Sequence, residues 1–77
     1  MRVTVEMYGQ FQQFNKGGER RVELEVEDGL SVRDLLTSLG VDVNEPWNAG
    51  LNGTLASPSD RVSDGSVLIV FPPIEGG

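Results

Sequence analysis

The sequence contains neither cysteine nor histidine, and these two absences exclude many kinds of site. Without cysteine there is no disulfide, no thiolate metal ligand and no thiol nucleophile, and without histidine the commonest general base is missing. No EF-hand spacing of carboxylates is present, so we predict no metal site. A chain of 77 residues forms one small domain with a limited core. We therefore expect any chemistry to take place at an end of the chain or in a partner protein.

Basic residues and long apolar runs are also scarce. Twelve acidic residues against six basic ones give a net charge of −6, which disfavours nucleic acid or an anionic membrane as a partner. No apolar run reaches the roughly 18 residues of a membrane span, and the N-terminus lacks the apolar region of a signal peptide. We expect a cytoplasmic protein that is a monomer when free and that binds other proteins.

Alternation of apolar and polar side chains predicts two strands near the N-terminus, at residues 2–8 and 20–27. They are expected to form a hairpin with a long connection. Within that connection Phe11 and Phe14 are three residues apart, which indicates a short helix or a compact loop. Glu23, Glu25 and Glu27 lie on the polar side of the second strand, where a solvated face is the simpler interpretation than a recognition strip.

One helix is predicted after the second strand. Ser31 is a suitable N-cap, Asp34 stands at the capping-box position three residues later, and Gly40 ends the helix. Short strands are expected at 47–51 and 61–62, with a turn at Asn52-Gly53 and a loop at 55–60.

The last predicted strand, residues 66–71, is apolar on both faces. Such a strand is typically central, and a central last strand lies parallel to the first, with the helix as the crossover. The pattern predicts an α+β domain over residues 1–71, with a mixed sheet of four to five strands packed on one main helix. Of the apolar side chains in this strand, Phe71 and either Leu68 or Val70 are candidates for a docking surface.

Residues 72–77 form a different kind of segment. Pro72 and Pro73 lack N–H groups and favour an extended, stiff backbone. Gly76-Gly77 has no Cβ atoms, so it can pass through a narrow channel in a partner. The simpler alternative is an incidental glycine pair at the end of an interaction module. In the functional interpretation the Gly77 carboxylate is the reactive group, and Glu75, Gly76 and the prolines thread the active site of another protein.

The chain resembles the MoaD/ThiS family of ubiquitin-like sulfur carriers. The resemblance rests on the opening strand with Gly9, on the helix start at 30–36, on Leu51-Asn52-Gly53, and on the segment 64–73 followed by Gly76-Gly77. It implies a β-grasp fold. Its Phe-Pro-Pro element resembles that of the molybdopterin synthase small subunit more closely than the corresponding segment of the thiamine carrier. Glu75 departs from that branch, which usually has a small residue there.

The resemblance also implies a mechanism and partners. A ubiquitin-activating-type adenylyltransferase would adenylate Gly77 with ATP, and a sulfur donor would convert it to a thiocarboxylate. The chain itself would be a carrier and not an enzyme, with the small non-catalytic subunit of molybdopterin synthase as one such role, and it would bind no cofactor. The large subunit of molybdopterin synthase, or another acceptor enzyme, would then take the sulfur. The alternatives are a carrier for thiamine synthesis or tRNA thiolation, and a protein modifier ligated through Gly77.

Overall fold

The computed structural model describes residues 1–73. It contains a five-stranded mixed sheet and one α-helix, with two short 3-10 turns between the first two strands. The strands are β1 (Arg2–Met7), β2 (Arg21–Glu25), β3 (Asn48–Leu51), β4 (Thr54–Leu55) and β5 (Val67–Phe71), and the helix is α1 (Val32–Ser38). The strand order across the sheet is β2-β1-β5-β3-β4. In the part of the chain that the structure describes, no helix is long and apolar enough to cross a membrane.

The central position of β5 confirms the prediction made from its two apolar faces. It lies between β1, to which it is parallel, and β3, to which it is antiparallel. The parallel pairing follows from the crossover through α1, which returns the chain to the same end of the sheet. The hairpin of β1 and β2 is antiparallel, as predicted, with Val5 opposite Val22.

The core lies between one face of the sheet and α1. Val32, Leu35 and Leu36 are the buried residues of the helix, in the spacing that defines one helical face. Alternate residues of β1 and β5 meet them from the sheet. The buried apolar residues are Val3, Val5, Met7, Phe11, Val32, Leu35, Leu36, Val41, Ala49, Val62, Leu68 and Val70.

The predicted capping box at the start of α1 is present. The backbone N–H of Asp34 donates to Ser31 Oγ at 3.0 Å, and the backbone N–H of Ser31 donates to the Asp34 carboxylate at 3.3 Å. The hydrogen bond from the Ser31 backbone, followed by that from the Ser31 side chain, lowers the pKa of the Asp34 carboxyl group below its ordinary value of 3.8. Leu39 caps the other end, and Gly40 follows it with a positive φ of 96°.

The lowered pKa of Asp34 predicts the pH dependence of an Asp34→Asn variant. A carboxylate with a lowered pKa in the folded state adds stability above its unfolded pKa and loses it as the pH falls through the folded value. We therefore expect the variant to be less stable than the parent chain at neutral pH. The difference should shrink as the pH falls below 3.8. Urea unfolding at a series of pH values measures it, and a constant difference at every pH would contradict the role given to the charge.

The connection between β1 and β2 contains a short helix around Phe11 and Phe14, one of the two predicted alternatives, in 3-10 form. Its 3-10 turns span Gly9–Phe14 and Lys16–Gly18. Phe11 is buried in the core, and the buried Asn15 side chain donates to the backbone oxygens of Val5 and Arg20. These contacts hold the connection against the end of β1.

Two short elements differ from the sequence prediction. The predicted loop at 55–60 overlaps β4, because the tight turn at Asn52-Gly53, in which Asn52 has a φ of 51°, folds Thr54 and Leu55 back onto β3. Such a two-residue strand is too short for alternation to reveal it. The strand expected at 61–62 is reduced to a single antiparallel bridge between Ser31 and Arg61.

Candidate functional site

The candidate site is the end of β5, where the chain leaves the centre of the sheet. Both neighbouring strands hold β5 up to its last residues. Phe71 pairs with Asn48 on β3, and on the other side the Tyr8 N–H donates to the Val70 carbonyl at 2.9 Å. Because the strand is fixed on both sides, the point at which the following segment begins is fixed as well. β5 ends at Phe71, the residue predicted to close the domain.

The two prolines that follow β5 are both half-buried. Neither has an N–H group, so neither can extend the sheet ladder. They therefore separate the paired strand from the residues beyond it. Glu75, Gly76 and Gly77, which the sequence predicts to thread and to react, lie outside the described residues.

The structure corrects two of the three predicted docking residues. Leu68 and Val70 are fully buried, so the prediction that either contacts a partner is wrong for this fold. The reason is the register with β1, which sets Leu68 opposite Val5 and Val70 opposite Met7 on the face that packs against α1. Phe71 is half-exposed on the other face and remains available.

The face of the sheet opposite α1 is open, and its central part is apolar. Val67, Ile69 and Phe71 are half-exposed there, and Gly50 lies beside Ile69 without a side chain. Leu55, which is opposite Gly50 on β4, is 73% exposed. We call Leu55, Val67, Ile69 and Phe71 the apolar strip. The alternation of Val67, Ile69 and Phe71 is visible in the sequence, but the sequence does not say which side of β5 faces the helix.

The other half of the open face is charged, and its charges are largely paired with one another. Arg21 forms an ion pair with Glu6, and Arg2 lies 3.8 Å from both Glu23 and Glu25. Exposed pairs of this kind contribute little to stability. They do keep the ladder of β1 and β2 hydrated, which distinguishes it from the apolar strip.

An aromatic and a cation lie at the same end of the sheet as Phe71. The Arg20 guanidinium is 5.0 Å from the centre of the Tyr8 ring, within the range of a cation–π contact. At the opposite end of β1 the α-ammonium of Met1 has a raised pKa, chiefly because of its hydrogen bond to Asp28. The exit of the chain is thus remote from that amine and its acidic partners.

Residues 1–73 hold no cluster of three or more potential metal ligands. What the geometry does supply is a rigid strand end beside an exposed apolar surface. This arrangement can present a chain terminus to another protein while docking the domain on it.

A mixed five-stranded sheet on one main helix, with a central last strand that leads into the C-terminal segment, defines a ubiquitin-like β-grasp domain. The sequence pattern of the ThiS family matches residues 5–77, and the chain belongs to this family of ubiquitin-like sulfur carriers. Its members are small carrier proteins and not catalytic subunits.

Solved structures agree with this assignment. The putative molybdopterin converting factor subunit 1 of Pyrococcus furiosus is 27% identical, with a TM-score of 0.75 over 96% of this chain and 99% of that one. The small archaeal modifier protein SAMP1 of Haloferax volcanii shares the fold at 23% identity, with a TM-score of 0.75 over 100% of both chains. A complex of subunits 1 and 2 of the Helicobacter pylori molybdopterin-converting factor also contains it, at 19% identity and a TM-score of 0.63 over 100% of both chains. The predicted β-grasp fold is confirmed.

Proposed function

We propose that the chain carries sulfur as a thiocarboxylate on Gly77, for the synthesis of a molybdopterin-type cofactor. The observation that supports this most directly is the central β5, fixed on both sides up to Phe71 and followed by two prolines and a segment that ends in two glycines. A strand end held in this way fixes the point from which the C-terminal segment begins. Membership of the ThiS family supplies the chemical class.

The proposed reaction uses groups that the chain itself lacks. The Gly77 carboxylate attacks the α-phosphate of ATP and releases pyrophosphate, which gives an acyl adenylate. A persulfide donor then attacks the carbonyl carbon and displaces AMP, and a second thiol cleaves the sulfur–sulfur bond to leave the thiocarboxylate and a disulfide. All catalytic groups belong to the activating enzyme, which accounts for a carrier without cysteine or histidine.

The apolar strip is the surface that we assign to docking. Three of its four residues lie on β5, the strand from which the chain exits, so a partner that covers Phe71 and Ile69 also receives the residues beyond Pro73. A groove or flat face of a ubiquitin-activating-type adenylyltransferase would bind it first, and an acceptor enzyme afterwards. The Helicobacter pylori relative was solved in complex with subunit 2 of its converting factor, which supports an acceptor of the molybdopterin synthase type here.

Intact-mass measurement tests the proposed chemistry. The purified chain is incubated with a cognate activating enzyme, ATP and a sulfur donor. We expect a mass increase equal to the replacement of one oxygen by sulfur. Iodoacetamide should alkylate the thiocarboxylate sulfur of the product but not the parent chain, which has no thiol. Omission of ATP is the control. An adenylate that forms but never yields the thiocarboxylate would contradict sulfur carriage and leave ligation open.

A protein modifier is the second candidate, and the structural likeness to SAMP1 is the observation that favours it. The test depends on the protease used. Trypsin would leave residues 62–77 on a modified lysine, because Arg61 is the last basic residue, whereas a glutamate-specific protease would cut after Glu75 and leave Gly-Gly. Gly-Gly remnants on cellular lysines that disappear when the gene is deleted would establish ligation. Lys16, the only lysine, is exposed and is the one side-chain site for self-modification.

A further inference from the structure

At the end of β5 the ring of Pro72 lies directly against the backbone of Gly9. A Cβ atom placed on Gly9 would stand 2.6 Å from Pro72 Cγ and 3.2 Å from Pro72 Cδ. Non-bonded carbon atoms prefer a separation of about 3.5–4.0 Å. Any side chain at position 9 would therefore have to displace the proline ring, and only glycine leaves room for it.

The backbone of Gly9 explains why this space exists. Its φ is +60°, a conformation that glycine adopts readily and most other residues do not. β1 ends at Met7, and the N–H of the next residue, Tyr8, still bonds to Val70. The positive φ of Gly9 then turns the chain into the first 3-10 turn. The main chain thus bends away from β5 at the level of Pro72, and the ring occupies the space that the bend leaves.

We propose that Gly9 is a positioning residue for the C-terminal segment. Because Gly9 has no side chain, the Pro72 ring packs directly against its backbone. Proline has a fixed φ of about −65°, so a ring held by this contact restricts the direction in which the chain continues. The contact joins the end of the first strand to the segment after the last one. It therefore fixes the exit direction relative to the whole sheet, including the apolar strip.

The chain contains a matched control for the test. Gly18 has nearly the same conformation, with φ of +71°, but a Cβ placed there would meet nothing within 4 Å. Alanine at either position introduces a similar backbone strain, and only alanine at Gly9 meets the proline. Gly9→Asn is a second test variant, because asparagine tolerates a positive φ while still carrying the Cβ. It serves if Gly9→Ala folds poorly.

The first measurement needs no partner. A spin label on Glu45→Cys, an exposed position in a chain that has no cysteine of its own, broadens backbone amide signals by an amount that depends on distance. We expect Gly9→Ala or Gly9→Asn to change the broadening of the Gly76 and Gly77 signals, and Gly18→Ala to leave it as in the parent. Unchanged broadening in both Gly9 variants would overturn the proposal.

The second measurement rests on the proposed function and follows adenylation by the activating enzyme. If about one molecule in ten of the Gly9→Ala variant still directs its terminus correctly, the kcat of adenylation should fall about tenfold. KM should stay within about twofold, because the apolar strip is unchanged. Gly18→Ala should match the parent in both constants. A rise in KM alone, or an equal effect of Gly18→Ala, would argue for general destabilisation and against positioning.

A double-mutant cycle tests the contact between Gly9 and Pro72 directly. Pro72→Ala removes the Cγ and Cδ atoms with which the new side chain would collide. Gly9→Ala should therefore reduce kcat about tenfold with Pro72 present and less than about twofold in the Pro72→Ala background. Equal effects in both backgrounds would overturn the proposed contact. If the parent chain were not adenylated at all, the proposed function would fail, and the spin-label measurement would still decide the role of Gly9.

Discussion

Removal of Gly76 and Gly77 is expected to abolish thiocarboxylate formation while leaving the fold intact. The deletion removes the carboxylate that we propose to be adenylated, and the core that the structure describes lies between Val3 and Val70. The thermal midpoint should therefore match that of the parent. Intact mass after incubation with the activating enzyme, ATP and a sulfur donor measures the loss, and circular dichroism measures the midpoint.

Deletion of Gly77 alone separates reach from chemistry. The shortened chain still ends in a glycine carboxylate, at Gly76, but that group stands one residue, about 3.5 Å, short of its place. A misplacement of about 1 Å can cost about 100-fold in rate, so we expect a loss of at least that size. Equal rates for the parent and the shortened chain would mean that no fixed geometry delivers the terminus, and the role assigned to the end of β5 would fail.

The sequence was sufficient to predict the architecture because its signals were local. Alternation in the first two strands, the cap at Ser31 and the two apolar faces of the last strand each depend on residues near one another. They led to the correct helix, the central parallel β5 and its end at Phe71. The family match to residues 5–77 agrees with the resemblance seen in the same segments.

What the sequence could not supply was information about pairing. Whether Leu68 or Ile69 faces the helix depends on the register between β5 and β1, and a shift by one residue would exchange the two faces. Both faces of β5 are apolar, so composition offered no help. The contact of Gly9 with Pro72 is likewise a product of the fold, since it joins two positions at opposite ends of the chain.

Alanine at Leu68 and at Ile69 is expected to have opposite consequences, although the two residues are adjacent. Leu68 is fully buried, and truncation of a buried leucine costs about 2–5 kcal/mol. In a domain of this size each kcal/mol lowers the thermal midpoint by about 4–8 °C, so Leu68→Ala should melt at least about 8 °C lower. Ile69 is half-exposed and lies on the open face, where truncation should cost about 1 kcal/mol or less.

Binding should show the reverse order. If Ile69 is an anchor of the apolar strip, Ile69→Ala should weaken binding to the activating enzyme by about 2 kcal/mol, or roughly 30-fold. Leu68→Ala, measured well below its own midpoint, should bind within a few-fold of the parent. Glu23→Gln, on the charged half of the open face, is the control for a surface change away from the strip.

The pair of alanine variants distinguishes the two faces of one strand, which is why it is more informative than either substitution alone. Weak binding by Leu68→Ala with full binding by Ile69→Ala would place the partner on the helix side and refute the docking surface. The expected pattern would instead show that the two faces of β5 have different roles in this small carrier. The side chains of β5 that face α1 stabilise the domain, and the alternate side chains bind the partner. Both sets belong to the strand that leads into the C-terminal segment.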